Sequence, residues 1–371
     1  MQPSSPGSDL TALQAAVAQW RSLGDRYAAD IAATVLEDGC SDDAQRAQAV
    51  ALLLELGAHQ QARHAVLAWL LRWRAQLPGS LAADADPATV ANPALWEALA
   101  DVSERCGDPQ LPELFWQSLE TLRPAPPAPG LLPLLGVPIL NGVAHLQALL
   151  ASLDQPVQTL AIVDQSGGRH DAASIALRQE LGRLEREGVP GVERVVVARP
   201  FTNIGVAAAW NLILRSFPEA SIALIVNHDV QLAPGVLGQA LARLDAGQPQ
   251  FLPLLPGERA YSAFLLTALA WDAMGLFDER FYPAYCEDLD HRDRLLACPQ
   301  VQRLEGGFAH GPMLEANPDQ SATLAVDPAL QAQNRRSFAL NRLWYLHRRR
   351  GPGSALIRSG EWRQRWLSRW I

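Results

Sequence analysis

Short apolar runs alternate with longer helical segments through the middle of this chain, and this alternation limits the possible folds more than any other feature. Six strands are predicted, at Leu134–Leu140, Thr159–Val163, Arg194–Ala198, Ile222–Val226, Phe251–Leu255 and Ala260–Leu266. Five helices are predicted, at Val143–Leu153, Ala172–Arg186, Val206–Ser216, Val236–Leu244 and Glu287–Leu296. Such alternation is typical of an α/β domain with a mostly parallel sheet, in which ligands bind at the carboxyl ends of the strands.

A Pro-rich stretch, RPAPPAPG, interrupts the chain at residues 123–130 and cannot continue a helix. We therefore predict an all-helical domain over residues 1–123, a linker at 124–130, the α/β domain at 131–327 and C-terminal helices at 328–371. Within the first domain, ALLLELGAHQQARHAVLAWL is similar to one tetratricopeptide-type hairpin. An irregular helical bundle that caps the next domain fits the same pattern.

Charge is unevenly distributed along the chain. The net charge of the 371 residues is −8, yet residues 334–371 hold ten Arg and one Glu. The last segment, GEWRQRWLSRWI, interleaves Arg with Trp and predicts an amphipathic basic helix. Such a helix either lies on an anionic membrane surface or packs its Trp side chains on the protein's own core.

The cysteines and the amino terminus bear on localisation. The four cysteines are scattered and form no CxxC pair, so we expect reduced thiols. The first residues lack the basic and apolar regions of a secretory signal, and no apolar run reaches the ~18 residues that a spanning helix needs. We expect a cytoplasmic protein, with peripheral contact at the inner face of the membrane and no nucleic-acid partner.

Polar and small residues follow the predicted strands, at the positions where a parallel sheet binds its ligands. These residues are Pro138, Asn141, Asp164, Asn203, Gly205, Asn211, Asn227, His228 and Asp229. The apolar run SIALIV, which ends abruptly at Asn-His-Asp, reads as a buried strand that delivers an acidic residue at its carboxyl end. An acid in that position is suited to holding a metal ion.

A second acidic group begins the last predicted helix, after an aromatic loop. Glu287, Asp288 and Asp290 lie in its first turn, where carboxylates also complement the helix dipole. Three acids exceed what capping requires, so we expect one of them to do chemistry. Later in the chain, His310 lies in the Gly-rich segment EGGFAHGP, which reads as a mobile loop.

Taken in order, these motifs resemble those of family 2 glycosyltransferases with the GT-A fold, a Rossmann-like, mostly parallel α/β fold. The motifs are VPILNG, IVDQSGG, NIGVAAAWN, LIVNHDV, GLFDERFYPAYCEDLDHRDR and the later His310. The similarity is greatest to the rhamnosyltransferase-like branch that builds bacterial surface polysaccharides, and it covers roughly residues 134–310. It implies transfer of a sugar from a nucleoside-diphosphate donor to a hydroxyl of a glycan, lipid-linked or protein acceptor.

The resemblance also assigns roles on the donor side. Asp229 matches the last acid of the family's D-x-D signature, a ligand of Mg or Mn, whereas Asn227 replaces the first acid. His310 matches a late histidine that reaches the metal or the diphosphate, although a lone loop histidine is often only a surface residue. Asp164 matches the residue that bonds the nucleotide base, which favours a UDP- or dTDP-sugar, although an Asp before two glycines also forms turns.

The remaining roles concern the donor pocket and the base. Pro138, Asn141, Asn203, Gly205, Asn211 and His228 are expected to line the donor site. Asp288 matches the general base of an inverting transfer, with Glu287 beside it in the catalytic pair.

Absent motifs narrow the alternatives. The sequence has no GxxxxGK[ST], no GxGxxG after the first strand, no HExxH and no GxSxG, so kinase, dehydrogenase, zinc-protease and α/β-hydrolase functions lose their main support. Two alternatives stay open. One is an inactive GT-A scaffold whose helical domain recruits a partner, and the other is a nucleotidyltransferase, although no Gly-rich triphosphate loop is evident.

Overall fold

The computed structural model describes residues 42–80, 90–305 and 337–346 of the chain. Its contacts divide the chain into two compact units, and the division falls between Arg123 and Pro124. The predictions for His310 and for the basic C-terminal tail lie outside the described residues. Among the helices within these ranges, none combines the length and the apolar character that crossing a bilayer requires.

The described residues of the first unit form four α-helices joined by turns and loops. Its helices are α1 (Asp43–Glu55), α2 (His59–Gln76), α3 (Pro93–Cys106) and α4 (Gln110–Leu119). Capping side chains define two of the starts: Asp42 accepts a hydrogen bond from the Gln45 N–H at 2.7 Å, and Asn92 accepts one from the Leu95 N–H at 3.0 Å. Their apolar faces bury a core, and the tetratricopeptide-type arrangement stays a prediction.

The second unit is built on seven strands. They are β1 (Leu132–Ile139), β2 (Val157–Asp164), β3 (Val192–Ala198), β4 (Ile222–Val226), β5 (Gln250–Pro253), β6 (Ala263–Thr267) and β7 (Gln302–Arg303). Its helices are α5 (Val143–Ala151), α6 (Ala172–Glu187), α7 (Val206–Ser216), α8 (Val236–Arg243), α9 (Ala268–Met274), α10 (Glu287–Leu296) and α11, the helical residues 337–346.

The seven strands form one mixed sheet in the order β3-β2-β1-β4-β6-β5-β7. The first four strands of that order are parallel, and β6 runs antiparallel between β4 and β5. The predicted α/β class with a mostly parallel sheet is therefore confirmed, and each predicted strand and helix corresponds to an observed one within a few residues.

Within the described part of the second unit, one α-helix and one β-strand were not predicted. The short helix α9 follows β6 directly, because Thr267 caps it by accepting a hydrogen bond from the Ala270 N–H at 3.3 Å. In the sequence its apolar residues merge with those of β6, so the run gives no separate helical period. Strand β7 has only two residues and no apolar side chain, which leaves no pattern to detect.

The sheet is covered on both faces. Helices α5, α6 and α8 pack on one face in a core that includes Leu135, Val137 and Leu224. Aromatic side chains dominate the other face, where Trp210 of α7 lies 5.5 Å from the Phe264 ring and 4.7 Å from the Phe277 ring. All eight residues of β1 are buried, because this strand lies between neighbours and under helices.

The sheet topology places a crevice beside β1. The chain passes from β1 to β2 on one side and later returns to β4 on the other, so β1 and β4 border a switch point. Ligands of open α/β sheets bind outside the carboxyl ends of the strands at such a point. Residues 140–142, 164–168 and 227–229 follow these ends, so the predicted polar residues do gather at one edge.

We expect a methyl group at Gly136 to destabilise the second unit. A Cβ there would lie 2.7 Å from both Ile213 Cγ2 and Ile225 Cδ1 in the packed centre of the sheet. Gly136→Ala should lower the free energy of unfolding by about 1 to 3 kcal/mol in urea denaturation. As a control in the same unit, Gly182→Ala meets only the end of the flexible Arg186 side chain, and it should be neutral or stabilise by up to about 1 kcal/mol. Equal effects of the two changes would contradict this account.

Candidate active site

The turn after β4 carries two side chains, Asn227 and Asp229, whose oxygen atoms could bind a metal ion. The Val230 N–H donates to the Asn227 carbonyl at 3.2 Å, and the Asn227 N–H donates to the Ser262 carbonyl at 2.8 Å, so the backbone of this turn is held at both ends. The Asn227 and Asp229 side chains are half-buried, and within the described ranges neither makes a hydrogen bond or ion pair. The turn therefore offers an amide oxygen and a carboxylate to the crevice.

Between these two residues, His228 is buried at the switch point. Its Nε2 has no hydrogen-bond partner within the described structure. Gly142, after β1, makes room for it, because a Cβ at Gly142 would lie 2.9 Å from Nε2. Burial lowers the pKa of His228, the nearby Asp229 raises it, and His145, whose ring lies 6.3 Å away, lowers it again. A neutral imidazole therefore borders the crevice where the ends of β1 and β4 meet.

The metal prediction can be tested against the donor atoms present. No group of three His, Cys, Asp or Glu side chains suited to a metal ion occurs in the part of the chain that the structure describes. Asp229 and Asn227 nevertheless supply the hard oxygen ligands that Mg or Mn prefers, and a neutral His228 adds no repelling charge. The turn fits an ion that takes its other ligands from water and from phosphate oxygens.

Asp164, at the end of β2, has a structural partner. Its Oδ1 accepts a hydrogen bond from the Ser166 N–H at 2.9 Å, and the side chain is buried. This is the turn-forming arrangement that the sequence left open as an alternative. This hydrogen bond occupies one oxygen of the Asp164 carboxylate. Recognition of the nucleotide base by the other oxygen stays a prediction.

Sequence reasoning missed Gln165, the next residue. Its backbone N–H donates to the Ile139 carbonyl at 2.7 Å, which ties the end of β2 to that of β1. Its side-chain amide donates to the Gly205 carbonyl at 3.2 Å and accepts from the Ile204 N–H at 2.9 Å. Gln165 therefore holds the Asn203–Gly205 turn against the sheet. Only its position directly after a strand could have indicated this role.

The Asn203–Gly205 turn is shaped by contact with a distant loop. The Asn203 side chain accepts a hydrogen bond from the Gly205 N–H at 2.9 Å, and Gly205 has φ of +86°. A Cβ at Gly205 would lie 3.0 Å from the Pro283 carbonyl oxygen and 3.0 Å from Tyr282 Cδ2. The sequence predicted that Gly205 leaves room for the donor. In the structure, the missing Cβ of Gly205 leaves room for the loop that leads to the acids, and the donor contact stays a prediction.

Asn211 is likewise committed to that loop. Its side-chain N–H groups donate to the Phe277 carbonyl at 2.9 Å and to the Glu279 carboxylate at 2.8 Å, and its oxygen accepts from the Phe277 N–H at 2.9 Å. Both amide N–H groups are thus used within the protein. Asn211 is therefore placed to position the loop, and the donor contact expected of it stays a prediction.

The other two predicted donor residues lie near the end of β1. Pro138 is buried within the strand, in register with Val163 of β2. Asn141 follows the strand and is buried as well. Neither presents an exposed side chain to solvent at the crevice.

The predicted acids begin α10 after an unusual backbone turn. Tyr285 and Cys286 both have left-handed φ values, 78° and 72°, and Cys286 caps the helix without a side-chain hydrogen bond. Non-glycine residues adopt this conformation at a cost of roughly 1 to 2 kcal/mol each. Neighbouring contacts must therefore hold the turn, and in doing so they set the direction of the first helical residues.

Burial, rather than the helix dipole, dominates the first two acids. Glu287 is only 5% exposed, its Oε2 has no partner within the described residues, and burial followed by the charge of Asp288 raises its pKa to about 8. Burial also raises the pKa of Asp288, against the lowering effects of backbone hydrogen bonds and Arg292. A helix N-terminus lowers the pKa of a carboxyl group and contributes only about 0.3 to 1 kcal/mol. Favourable interaction with the helix dipole therefore does not explain the raised pKa values of Glu287 and Asp288.

Asp290, in contrast, has a structural role. Its carboxylate pairs with Arg294 one turn later at 3.0 Å, and the Arg294 guanidinium also donates to the Met274 carbonyl at 2.7 Å. Beside it, the fully buried His291 stacks on Phe277 with ring centroids 4.2 Å apart and shares a 2.9 Å hydrogen bond with the Tyr261 hydroxyl. This layer anchors α10 to the sheet.

No protein-family model and no curated protein matches this chain. Solved structures similar to it include Staphylococcus aureus TarS 1-349, with 18% identity, a TM-score of 0.35, and coverage of 46% of this chain and 57% of that one. The complexes of TarS 1-349 with UDP and with UDP-GlcNAc give 17% and 16% identity, each with a TM-score of 0.35. They cover 46% and 48% of this chain and 56% and 59% of the TarS chains, so less than two thirds of TarS 1-349 is matched. A likeness this distant carries no argument about function.

The raised pKa of Glu287 predicts a pH-dependent stability. The folded pKa of about 8 exceeds the ordinary 4.5, so the proton on Glu287 stabilises the fold fully below pH 4.5, and this stabilisation is lost as pH rises towards 8. Glu287→Gln, which stays neutral, should be more stable than the wild type at pH 8 by about 4 kcal/mol, with little difference at pH 4.5. Urea denaturation across this range measures the effect.

The exposed residue Glu193 provides the matched control. Glu193→Gln should follow the wild-type pH dependence throughout. A Glu287→Gln curve that runs parallel to the wild type would show that Glu287 is ionised in the folded protein at neutral pH.

Proposed function

We propose that the chain is a glycosyltransferase that uses a nucleoside-diphosphate sugar and inverts the anomeric centre. The observation that carries this proposal is a physical connection: the loop that leads to the buried acids packs directly on the Asn203–Gly205 turn, at the edge of the sheet where α/β folds bind nucleotides. A donor in the crevice and a base on α10 would then belong to one site. The GT-A fold and the rhamnosyltransferase-like branch rest on the motif series.

The donor half of the proposal rests on the strand ends. Asp164 and its turn would accept a hydrogen bond from a uracil or thymine ring N–H, which favours a UDP- or dTDP-sugar. His228, neutral and close to Gly142, would face the ribose or the sugar. Asp229 and Asn227 would hold Mg or Mn, with His310 as a further ligand, and the ion would neutralise charge on the leaving diphosphate.

The chemical half rests on the acids. The acceptor oxygen attacks the anomeric carbon as the bond from that carbon to the diphosphate oxygen breaks, and the acceptor proton passes to Asp288. A pKa raised by burial makes the Asp288 carboxylate a stronger base than one in water. Glu287, with a pKa of about 8, carries a proton at neutral pH and would add a hydrogen bond without a second charge.

For the acceptor and for the location of the enzyme, we propose classes and not individual molecules. A hydroxyl of a glycan, a lipid-linked sugar or a protein would serve as acceptor. The basic Arg/Trp tail would bring a cytoplasmic enzyme to the inner face of the membrane, where lipid-linked acceptors are presented. The helical unit would bind a protein substrate or order an oligomer.

Nucleotide binding is the first prediction of this proposal. UDP or dTDP with Mn, at about a hundred times its Kd, should raise the unfolding midpoint by about 5 to 10 °C in a thermal-shift assay. GDP and CDP serve as controls for base recognition. Asp229→Ala should abolish the part of the shift that requires Mn. If no nucleotide raises the unfolding midpoint, the transferase is rejected and the inactive scaffold is favoured. In a separate assay, release of pyrophosphate from a nucleoside triphosphate would indicate a nucleotidyltransferase.

The base assignment gives a separate prediction. Asp288→Asn removes the proton acceptor but keeps the shape of the side chain, so it should slow release of the diphosphate from the donor sugar by about 10²-fold to 10⁴-fold. The nucleotide-induced thermal shift should persist. Glu193→Gln, on the exposed β3, should keep the wild-type rate. An Asp288→Asn variant as fast as the wild type would disprove the assignment.

A further inference from the structure

The Asn341 side chain on α11 makes two hydrogen bonds to the loop that precedes the acids. Asn341 is 5% exposed, and its side-chain amide donates to the Tyr282 carbonyl at 3.2 Å and to the Ala284 carbonyl at 2.8 Å. The Ala284 carbonyl directly precedes the left-handed residues Tyr285 and Cys286, and the Tyr282 carbonyl lies two residues before it. We propose that Asn341 is a positioning residue of the active site, which fixes this loop so that Asp288 points at the acceptor.

The backbone of the loop explains why it needs such a support. Tyr285 and Cys286 are successive non-glycine residues in the left-handed region, where the Cβ of each lies too close to the following carbonyl oxygen. Such a conformation persists only where surrounding contacts determine it. The Cys286 side chain adds no capping hydrogen bond at the start of α10. The hydrogen bonds from Asn341 therefore fall at the point where the chain has the greatest tendency to relax.

Other side chains of α11 support the same segment. Tyr345 packs with Phe281 and Cys286 in a small buried cluster, and its hydroxyl donates to the Asp293 carboxylate at 2.6 Å. The Arg280 guanidinium lies 4.9 Å from the centre of the Trp344 ring. Helix α11 thus contacts both the loop and α10, so it spans the turn that aims the acids.

The opposite side of the loop rests on the predicted donor turn. The Val206 N–H donates to the Pro283 carbonyl at 2.8 Å, and the Tyr282 hydroxyl donates to the Asn203 carbonyl at 3.1 Å. Residues 282–284 are therefore held between that turn and Asn341. Removing Asn341 releases one side of this arrangement while the contacts to the donor turn remain.

This inference rests on the proposed function, and one of its measurements does not require activity. Cys286 is 2% exposed and lies in the cluster that α11 covers, so its reactivity reports whether the loop has opened. Asn341→Asp keeps the size of the side chain and loses both donated N–H groups at neutral pH. We expect iodoacetamide to alkylate Cys286 at least about five times faster in this variant, with the rate read by peptide mass spectrometry. Cys298, which follows the end of α10, serves as the internal reference.

The second measurement is kinetic. Turnover of the donor sugar should fall at least about tenfold in Asn341→Asp, while KM for the donor changes by less than about threefold, because the loss lies in aiming the base. Leu343→Ala is the control, since this residue lies on the same helix and is 65% exposed. It should match the wild type in both assays. Asn341→Ala separates loss of the hydrogen bonds from the added charge, and it replaces Asn341→Asp if that variant does not fold.

The alkylation and turnover measurements distinguish an error in the inference about Asn341 from an error in the proposed function. Wild-type alkylation of Cys286 in both Asn341 variants would overturn the inference, whatever the activity. Faster alkylation with unchanged turnover would also overturn it, because the loop would then be irrelevant to catalysis. A wild-type protein that turns over no donor would reject the proposed function alone, and the alkylation rates would still decide whether Asn341 holds the loop.

Discussion

The site in the second unit depends on one electrostatic constraint, the burial of the Glu287 carboxyl group beside the half-buried Asp288. Glu287 is enclosed at the start of α10, and its Oε2 lacks a partner among the described residues. Removing such a group from water costs several kcal/mol in its charged form, so the proton stays on it at neutral pH. The fold tolerates this cost because the layer of Phe277, His291 and Tyr261 fixes α10 from behind.

The close approach at Gly205 joins this constraint to the sheet. A chain segment from residues 277–286 fits against the turn at residues 203–205 only because that turn has no Cβ at its tightest point. Gln165 extends the connection to the ends of β1 and β2. The strand ends, the turn and the acid loop are therefore connected by continuous contacts.

Much of the fold was accessible from the sequence, whereas less of the site was. Helices α7 and α10 begin and end as predicted, because helical periodicity is a local property of the sequence. The acids on α10 stood out because three in one turn exceed the needs of a helix, and their catalytic role stays a prediction. Nothing in the sequence indicated that Asn211 and Gly205 also contact a loop about seventy residues away, and their donor contacts stay predictions. Gln165 and Asn341 gave no signal, because a lone amide is common in any loop or helix.

By itself, the sequence determined the kinds of element and the polar residues at their ends, because propensity and hydrophobic period act over neighbouring residues. Only the tertiary structure decided that β6 runs antiparallel, that the loop before α10 packs on Gly205, and that Glu287 is buried deeply enough to keep its proton. Each of these depends on which distant segments meet. Burial and hydrogen bonding at the site are properties of that meeting, and no local pattern encodes them.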